Sequence, residues 1–316
     1  MTATTTSTPT PGKKRTALEA AQLNGNVKGK TYVITGAYSG IGVETTKALL
    51  QEGGNVVVGG RNPKLLDEFV VKMKKEYSEE QVDGSIIDLG DLESVKVFAK
   101  YVNDKYTVID VLICNAGIMN APAGVTKNGF ESQMGVNVIG HFLLAKALVD
   151  KTKRQVWVSS LGHTLDKGAR INMEYTKNFS SNNMKGYNGW SAYQQSKLGD
   201  VLLPKEFDKR YSNVEAASLH PGGISTNLSR HTGLFSMLKF VFTKMPELRR
   251  NGGVTMKTPA VGASTTVTAA TLPSDKFVNG GYYNDCEIGE ESDAAKNEED
   301  AKELFDYCDE VTKEFQ

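Results

Sequence analysis

Cysteine is scarce in this sequence, with three among 316 residues: Cys114, Cys286 and Cys308. None stands at metal-site spacing, and so few suit a reducing compartment. Cys114 falls in an apolar stretch and reads as core. An excess of charge of one sign is also missing, because Lys plus Arg and Asp plus Glu both number 37. That balance gives no global attraction to phosphate, so no nucleic-acid partner is expected. The asymmetry that exists is local: a basic lead around Lys13-Lys14-Arg15 and an acidic end from Glu287 to Glu310. Both read as solvated surface. No run approaches the about 18–20 apolar residues of a membrane span, and the N-terminus lacks a signal-peptide core. The expectation is a soluble, cytoplasmic protein without a metal.

The length allows one large α/β domain or two small ones. Met1–Pro11 is Thr, Ser, Pro and Ala without period and reads as a disordered tail. Ala17–Leu23 is either a short helix or more of that tail, and the domain is placed at 29–316. Short apolar runs then alternate with helices. Strands are expected at Tyr32–Ile34, Asn55–Gly60, Val82–Asp88, Ile109–Cys114, Gln155–Ser159 and Val214–Leu219, with a seventh near Gly281–Asn284. Helices are expected from Ile41, from Pro63 to about Tyr77, and over Asp91–Asp104, Asn128–Asp150 and Gly189–Tyr211. This alternation predicts a doubly wound parallel sheet of about seven strands, covered on both faces, in a single Rossmann-type domain. Three inserts stand outside it: Leu161–Asn188, Gly222–Lys257 and the charged helix Asn297–Phe315. Long loops leaving the carboxyl ends of strands are usually functional, and about 223–257 reads as a substrate lid.

Between the first strand and its helix lies the turn Gly36-Ala37-Tyr38-Ser39-Gly40-Ile41-Gly42. Glycines suit a turn that needs backbone angles a Cβ resists, and they let a phosphate approach the main chain. The helix start adds unpaired N–H groups and the positive end of a dipole. Strand, turn and helix in that order mark a dinucleotide site. Gly36, Tyr38, Ser39, Gly40, Ile41 and Gly42 are its candidate contacts. Farther on, Tyr193 and Lys197 lie four apart on one helix and share a face. An ammonium beside a phenol favours the phenolate, so the pair suits proton transfer in a carbonyl/alcohol interconversion.

Taken with Asn115-Ala116-Gly117, Asn137-Val138-x-Gly140, Ser159-Ser160 and Pro221-Gly222, these motifs occur in the order seen in short-chain dehydrogenases/reductases, over roughly three-quarters of the chain. The texture of Ser159-Ser160-Leu161-Gly162-His163, Tyr193-Gln194-Gln195-Ser196-Lys197-Leu198 and Gly281-Tyr282-Tyr283-Asn284-Asp285-Cys286 resembles the retinol-dehydrogenase branch. The oxidoreductase part of the WW-domain-containing oxidoreductase and the light-dependent protochlorophyllide reductases are relatives of the same type. The resemblance implies that Tyr193 is the general acid in reduction and the base in oxidation, and that Lys197 assists it and holds the nicotinamide ribose. It implies that Ser160 bonds the substrate carbonyl, with Ser159 a structural neighbour. Asn137 would help hold a water leading from Lys197, or satisfy a helix irregularity. Asn115, Ala116 and Gly117 would close the nucleotide site, Asp88 and Leu89 would meet the adenine edge, and Pro221, Gly222 and Thr226 would pass along the nicotinamide.

Cofactor choice is set after the second strand, where NAD enzymes keep an acid and a 2′-phosphate calls for arginine. Gly59-Gly60-Arg61 has no acid, so NADP (NADPH) is expected. The aromatic residues Tyr175, Phe179, Met184, Tyr187 and Trp190 either wall a substrate site or pack the insert, with Trp190 the candidate lining residue. The apolar-basic stretch 234–244 is a lid over an apolar pocket or a peripheral membrane contact. Membrane-bound retinol dehydrogenases carry an apolar N-terminal anchor, which is not found here. The leading expectation is therefore an NADP-dependent oxidoreductase for a small apolar carbonyl or alcohol. The alternatives are a non-catalytic NADP(H)-binding sensor or scaffold and a light-dependent reductase of a tetrapyrrole. Asn128–Asp150 and Gly189–Tyr211 either pair between subunits of a homodimer or lie under the C-terminal segment.

Overall fold

The computed structural model describes residues 15–164, 170–224 and 256–316. Six short strands follow the apolar runs: β1 (Thr31–Thr35), β2 (Asn55–Gly60), β3 (Val82–Ile86), β4 (Val111–Cys114), β5 (Arg154–Val158) and β6 (Glu215–His220). Two-residue strands β7 (Gly223–Ile224) and β8 (Met256–Lys257) pair separately, and β9 (Tyr282–Asn284) and β10 (Glu287–Ile288) complete the set. The main sheet has eight strands in the order β10-β9-β6-β5-β4-β1-β2-β3. All neighbours are parallel except β9 and β10, so the seven expected strands gain one antiparallel edge. The order reverses between β1 and β4, and the crevice beyond the carboxyl ends of those strands is where such sheets bind ligands.

Because side chains alternate across a strand, the sheet carries two cores. One holds Val33, Val57, Leu112, Cys114 and Trp157 under α4 (Leu92–Lys105), α5 (Gly140–Ala147) and α7 (Gly189–Arg210), with the short helix α6 (Met173–Asn178) between the last two in the chain. The other holds Tyr32, Ile34, Val58, Ile113 and Val156 under α2 (Ile41–Gln51) and α3 (Pro63–Glu76). Asn62 caps α3 by accepting from the Leu65 N–H, with Pro63 in its first turn, as the sequence predicts.

The structure corrects three expectations and adds one helix. Ala17–Asn24 is a helix, α1, with a capping box from Thr16 and Glu19, and its Ala17, Ala20 and Ala21 are buried, so the domain begins before residue 28. Asn128–Asp150 is not one helix. Gly129 turns at φ 88°, the chain winds as a π-helix over Met134–Ile139, and α5 ends at Ala147. Val82–Asp88 stops at Ile86, because the Asp88 carboxylate turns back to accept from Gly90 N–H. A further helix, α8 (Ser264–Thr271), is buried throughout and packs on α1, where the Asn24 amide donates to Thr271 Oγ1.

The C-terminal helix α9 (Glu298–Thr312) lies over α5 and α7. Phe305 meets Phe142 and Phe207 at ring centroids of 4.9 and 5.1 Å. Ion pairs Lys146–Asp309 and Arg210–Asp306 flank it. The chain's own C-terminal segment thus lies over both of these helices.

Candidate active site

The glycine turn is held from below by β4. Asn115 N–H and Ala116 N–H both donate to the Thr35 hydroxyl at 3.0 Å, and the Asn115 amide donates to the Thr35 carbonyl at 2.8 Å. Gly40 has φ 56° and ψ −130°, a conformation that needs glycine. A Cβ on Gly42 would stand 2.5 Å from the Gly36 carbonyl oxygen and 2.9 Å from Asn115 Nδ2. The turn is thus closed against a side chain at residue 42. Asn115 Oδ1 is buried without a partner. The close-packed glycine backbone fits a dinucleotide phosphate, which Asn115 Oδ1, an acceptor, would not bond. At the end of β2, Arg61 is exposed, and the Tyr38 hydroxyl accepts from Asn62 N–H at 3.1 Å. The Tyr38 ring fills the space beside Gly60, where a Cβ would lie 2.0 Å from Cε1. Asp88 is half-buried and spends one oxygen on its own loop, while the Leu89 side chain packs in the core, leaving only its backbone for a ligand.

Tyr193, Lys197 and Ser160 converge where β5 meets α7. Asn188 starts that helix by accepting from the N–H groups of Trp190 and Ser191. Ser160 Oγ accepts from Gly162 N–H at 3.0 Å. A Cβ at Gly162 would lie 3.3 Å from Ser160 Oγ and 3.2 Å from Tyr193 Cε1, so that glycine is the floor on which the two meet. The Ser159 hydroxyl instead donates to the Lys197 carbonyl, which ties the strand to the helix. Lys197 Nζ sits 5.9 Å from the Tyr193 ring centroid and donates to the Val158 carbonyl at 2.8 Å and to Asp200 Oδ2 at 2.6 Å. Burial opposes the Lys197 charge, but Asp200 and Tyr193 raise its pKa above the ordinary lysine value. Burial pushes the Asp200 carboxyl up to about 6 against the pull of Lys197.

Asn137 lies in the π-helix, a distortion common at functional sites. Its amide is committed: Oδ1 accepts from Ile118 N–H, and Nδ2 donates to the Ile118 carbonyl and to Ser196 Oγ. The side chain therefore ties the π-helix to the loop at Ile118 and to α7. Its carbonyl accepts from His141 Nδ1 at 2.8 Å, and a carbonyl only accepts, so Nδ1 carries the proton. Burial keeps the ring neutral, with its pKa down to about 4, and Nε2 then accepts from the Thr35 hydroxyl at 2.8 Å. One buried imidazole thus links the glycine turn to the catalytic face. Sequence reading missed both His141 and Asp200.

In the insert before α7, Tyr175 packs on Phe179 and Phe179 on Tyr187, and the Tyr187 hydroxyl donates to the Ala121 carbonyl. Those rings pack the insert. Trp190 differs, meeting Tyr193 edge-on at 6.4 Å. Gly222, at φ 89°, donates its N–H to His220 Nδ1, and Lys257 lies against it, paired with Asp285. Thr226 and the stretch 234–244 fall outside the described residues. Among the described residues, no helix is long and apolar enough to cross a membrane.

The family model for short chain dehydrogenases matches residues 30–236. Human retinol dehydrogenase 11 is 34% identical over 289 residues, covering 89% of this chain and 85% of its own. The chloroplastic short-chain dehydrogenase TIC 32 B of Brassica napus is 32% identical, covering 89% of this chain and 88% of its own. A crystal structure of an uncharacterized protein from Mycobacterium Paratuberculosis superposes with a TM-score of 0.68 at 30% identity, covering 91% of this chain and 95% of that one. The glycine turn, the Ser160–Tyr193–Lys197 convergence and these likenesses agree: the chain belongs to the short-chain dehydrogenase family, in its retinol dehydrogenase-like branch, and is an oxidoreductase of the kind that uses a nicotinamide cofactor.

Proposed function

We propose that this protein is an NADP(H)-dependent enzyme that interconverts a carbonyl and an alcohol on an apolar substrate, with Tyr193 as general acid in reduction and general base in oxidation. The observation that supports it most is the meeting of Ser160 Oγ and the Tyr193 ring at Gly162, beside the buried Lys197 ammonium. The bound nicotinamide would supply or accept the hydride. Ser160 would hold the substrate oxygen by its hydroxyl, and Tyr193 would give or take the proton at that oxygen. Lys197 would favour the phenolate by its charge. The turn residues from Gly36 to Gly42, with Asn115, Ala116 and Gly117, would hold the dinucleotide. Asp88 and the Leu89 backbone would border the adenine, and Pro221, Gly222 and Thr226 the nicotinamide. Asn137 would act as a support, fixing the loop at Ile118 beside Lys197.

NADP(H) is favoured because Arg61 is exposed at the end of β2 while the Tyr38 ring fills the space an acid at residue 60 would need. The named substrate of the retinol dehydrogenases makes apolar primary alcohols and their aldehydes the first to try, with Trp190 walling the site. The unpaired cysteines accord with a reducing compartment such as the cytoplasm. The test is titration with NADPH and NADH, then turnover of an apolar aldehyde panel by wild type and Tyr193→Phe. Tighter NADPH binding, turnover by wild type, and binding without turnover by Tyr193→Phe are expected. Nucleotide binding with no turnover on any carbonyl or alcohol would point to a sensor, and absence of binding would overturn the reading altogether.

A further inference from the structure

Three residues after Lys197, α7 carries a carboxylate where the rest of the helix is packed. Asp200 and Lys197 side chains are 3% and 6% exposed, and their 2.6 Å bond is sealed from water between α7, β4 and β5. An ammonium has three donors. Val158 carbonyl and Asp200 Oδ2 take two, and the third has no protein partner among the described residues. The nitrogen lies 3.7 Å from where a Cβ of Gly117 would be, so this remaining donor is left for the crevice between Gly117 and Tyr193. Pro204 sharpens the case: it lacks the N–H that would bond the Asp200 carbonyl, so α7 gives up a helical bond at this residue.

We propose that Asp200 is a positioning residue of this centre: its carboxylate shares the Lys197 ammonium with Tyr193, and so sets both where the ammonium sits and how many protons the Tyr193–Lys197 pair carries. The inference rests on the catalytic reading above. The titratable groups that face the Lys197–Asp200 ion pair are Tyr193 on the same helix, Cys114 from β4 and His141 from α5. Burial keeps the Cys114 thiol and the His141 ring neutral at pH 7. Asp200 is therefore the anion that balances Lys197 there.

The sign follows from charge alone. With Asp200 ionised, the Tyr193–Lys197 pair binds its second proton more tightly; without it, that proton leaves at lower pH, whichever of the two residues gives it up. Carbonyl reduction needs both protons in place and oxidation needs one removed. Loss of the carboxylate therefore moves the limb of either pH–rate profile in the same direction.

The experiment compares wild type, Asp200→Asn and Asp200→Ser, each with and without Tyr193→Phe. The phenolate ultraviolet band is titrated, and the pH–rate profile of aldehyde reduction is measured with saturating NADPH. Expected is a limb displaced to lower pH by about one unit, which is about a tenfold lower reduction rate at pH values above the wild-type limb and little change on the shared plateau at lower pH. The phenolate difference between each variant and its Tyr193→Phe partner should move with it. Profiles and phenolate titrations that superimpose on wild type, with only a uniform loss of kcat, would overturn the proposal. So would collapse of both Asp200 variants at every pH, which would make the residue one needed only for folding. If wild type turns over no carbonyl, the function reading fails by itself, and the phenolate titration still decides the role of Asp200.

Discussion

Introducing an acid at Gly60 should not by itself convert the cofactor preference, because the neighbour is in the way. A Cβ there would lie 2.0 Å from Tyr38 Cε1 and 2.7 Å from Cδ1. The ring is anchored by the Asn62 N–H, which donates to its hydroxyl at 3.1 Å. Overpacking of this kind costs about 1–3 kcal/mol, and swinging the ring aside would cost a further bond worth about 0.5–1.5 kcal/mol. Gly60→Asp alone is therefore expected to lose about 2–4 kcal/mol in urea unfolding, with weak binding of either nucleotide. Gly60→Asp with Tyr38→Ser removes the obstruction. The double variant should be less damaged than the two single losses added together, by about 1–3 kcal/mol of coupling. Its NADPH-to-NADH affinity ratio should fall, as an acid beside the ribose repels a 2′-phosphate and accepts from a 2′-hydroxyl. Unfolding and nucleotide titration of the four proteins in the cycle decide the matter. Additivity within about 0.5 kcal/mol, or a single Gly60→Asp protein that folds normally and prefers NADH, would refute the idea that Tyr38 guards this position.

Two further outcomes concern stability. Phe305→Ala should cost about 3–5 kcal/mol by urea titration, since a ring 1% exposed is lost from between Phe142, Phe207 and the Arg210 guanidinium; a loss under about 1 kcal/mol would mean that α9 docks by its ion pairs instead. Stability should also fall between pH 6.5 and 4. His141, His163 and His220 are buried neutral, each pushed by burial from 6.5 to about 4. The unfolded chain takes up those protons first, so the stabilisation is complete above the unfolded value and is lost as pH drops, by on the order of 3 kcal/mol per ring. Asp200, raised to about 6, works in the opposite sense over part of that window, as do Glu131 and Asp208, which burial also raises, but the three rings span the whole of it. A urea midpoint that stays level from pH 7 to pH 4.5 would contradict this balance.

The sheet was legible because its strands are buried on both faces and so appear as unbroken apolar runs such as Val111–Cys114, which few other elements produce. Helices packed on one side, such as α3 and α4, were legible from their caps and period. What escaped has a common cause. Ser264–Thr271 is buried on every side, so no polar face marks a helical period, and its threonines favour strand by propensity. The π turn at Met134–Ile139 is invisible because no residue type marks a π turn, and Asn137 there bonds Ile118, a contact between segments nineteen residues apart that local pattern does not show. β10 is two exposed residues paired to a neighbour, with nothing to distinguish it from loop.

For the site, the spacing that identifies Tyr193 and Lys197 as one face would also place Asp200 beside them, three residues on. It was passed over because a carboxylate in a helix is usually solvated. The sequence holds a counter-signal in Gly199-Asp200-Val201-Leu202-Leu203-Pro204: an acid inside an apolar run sits where the helix is covered, and these residues are in fact buried. A covered carboxylate must be paired or must take up a proton. Within one turn along its face, at residues 196, 197, 203 and 204, the one cation is Lys197. The pair at the centre of the proposal above could therefore have been deduced before any coordinates, by asking of each charge in an apolar run what neutralises it.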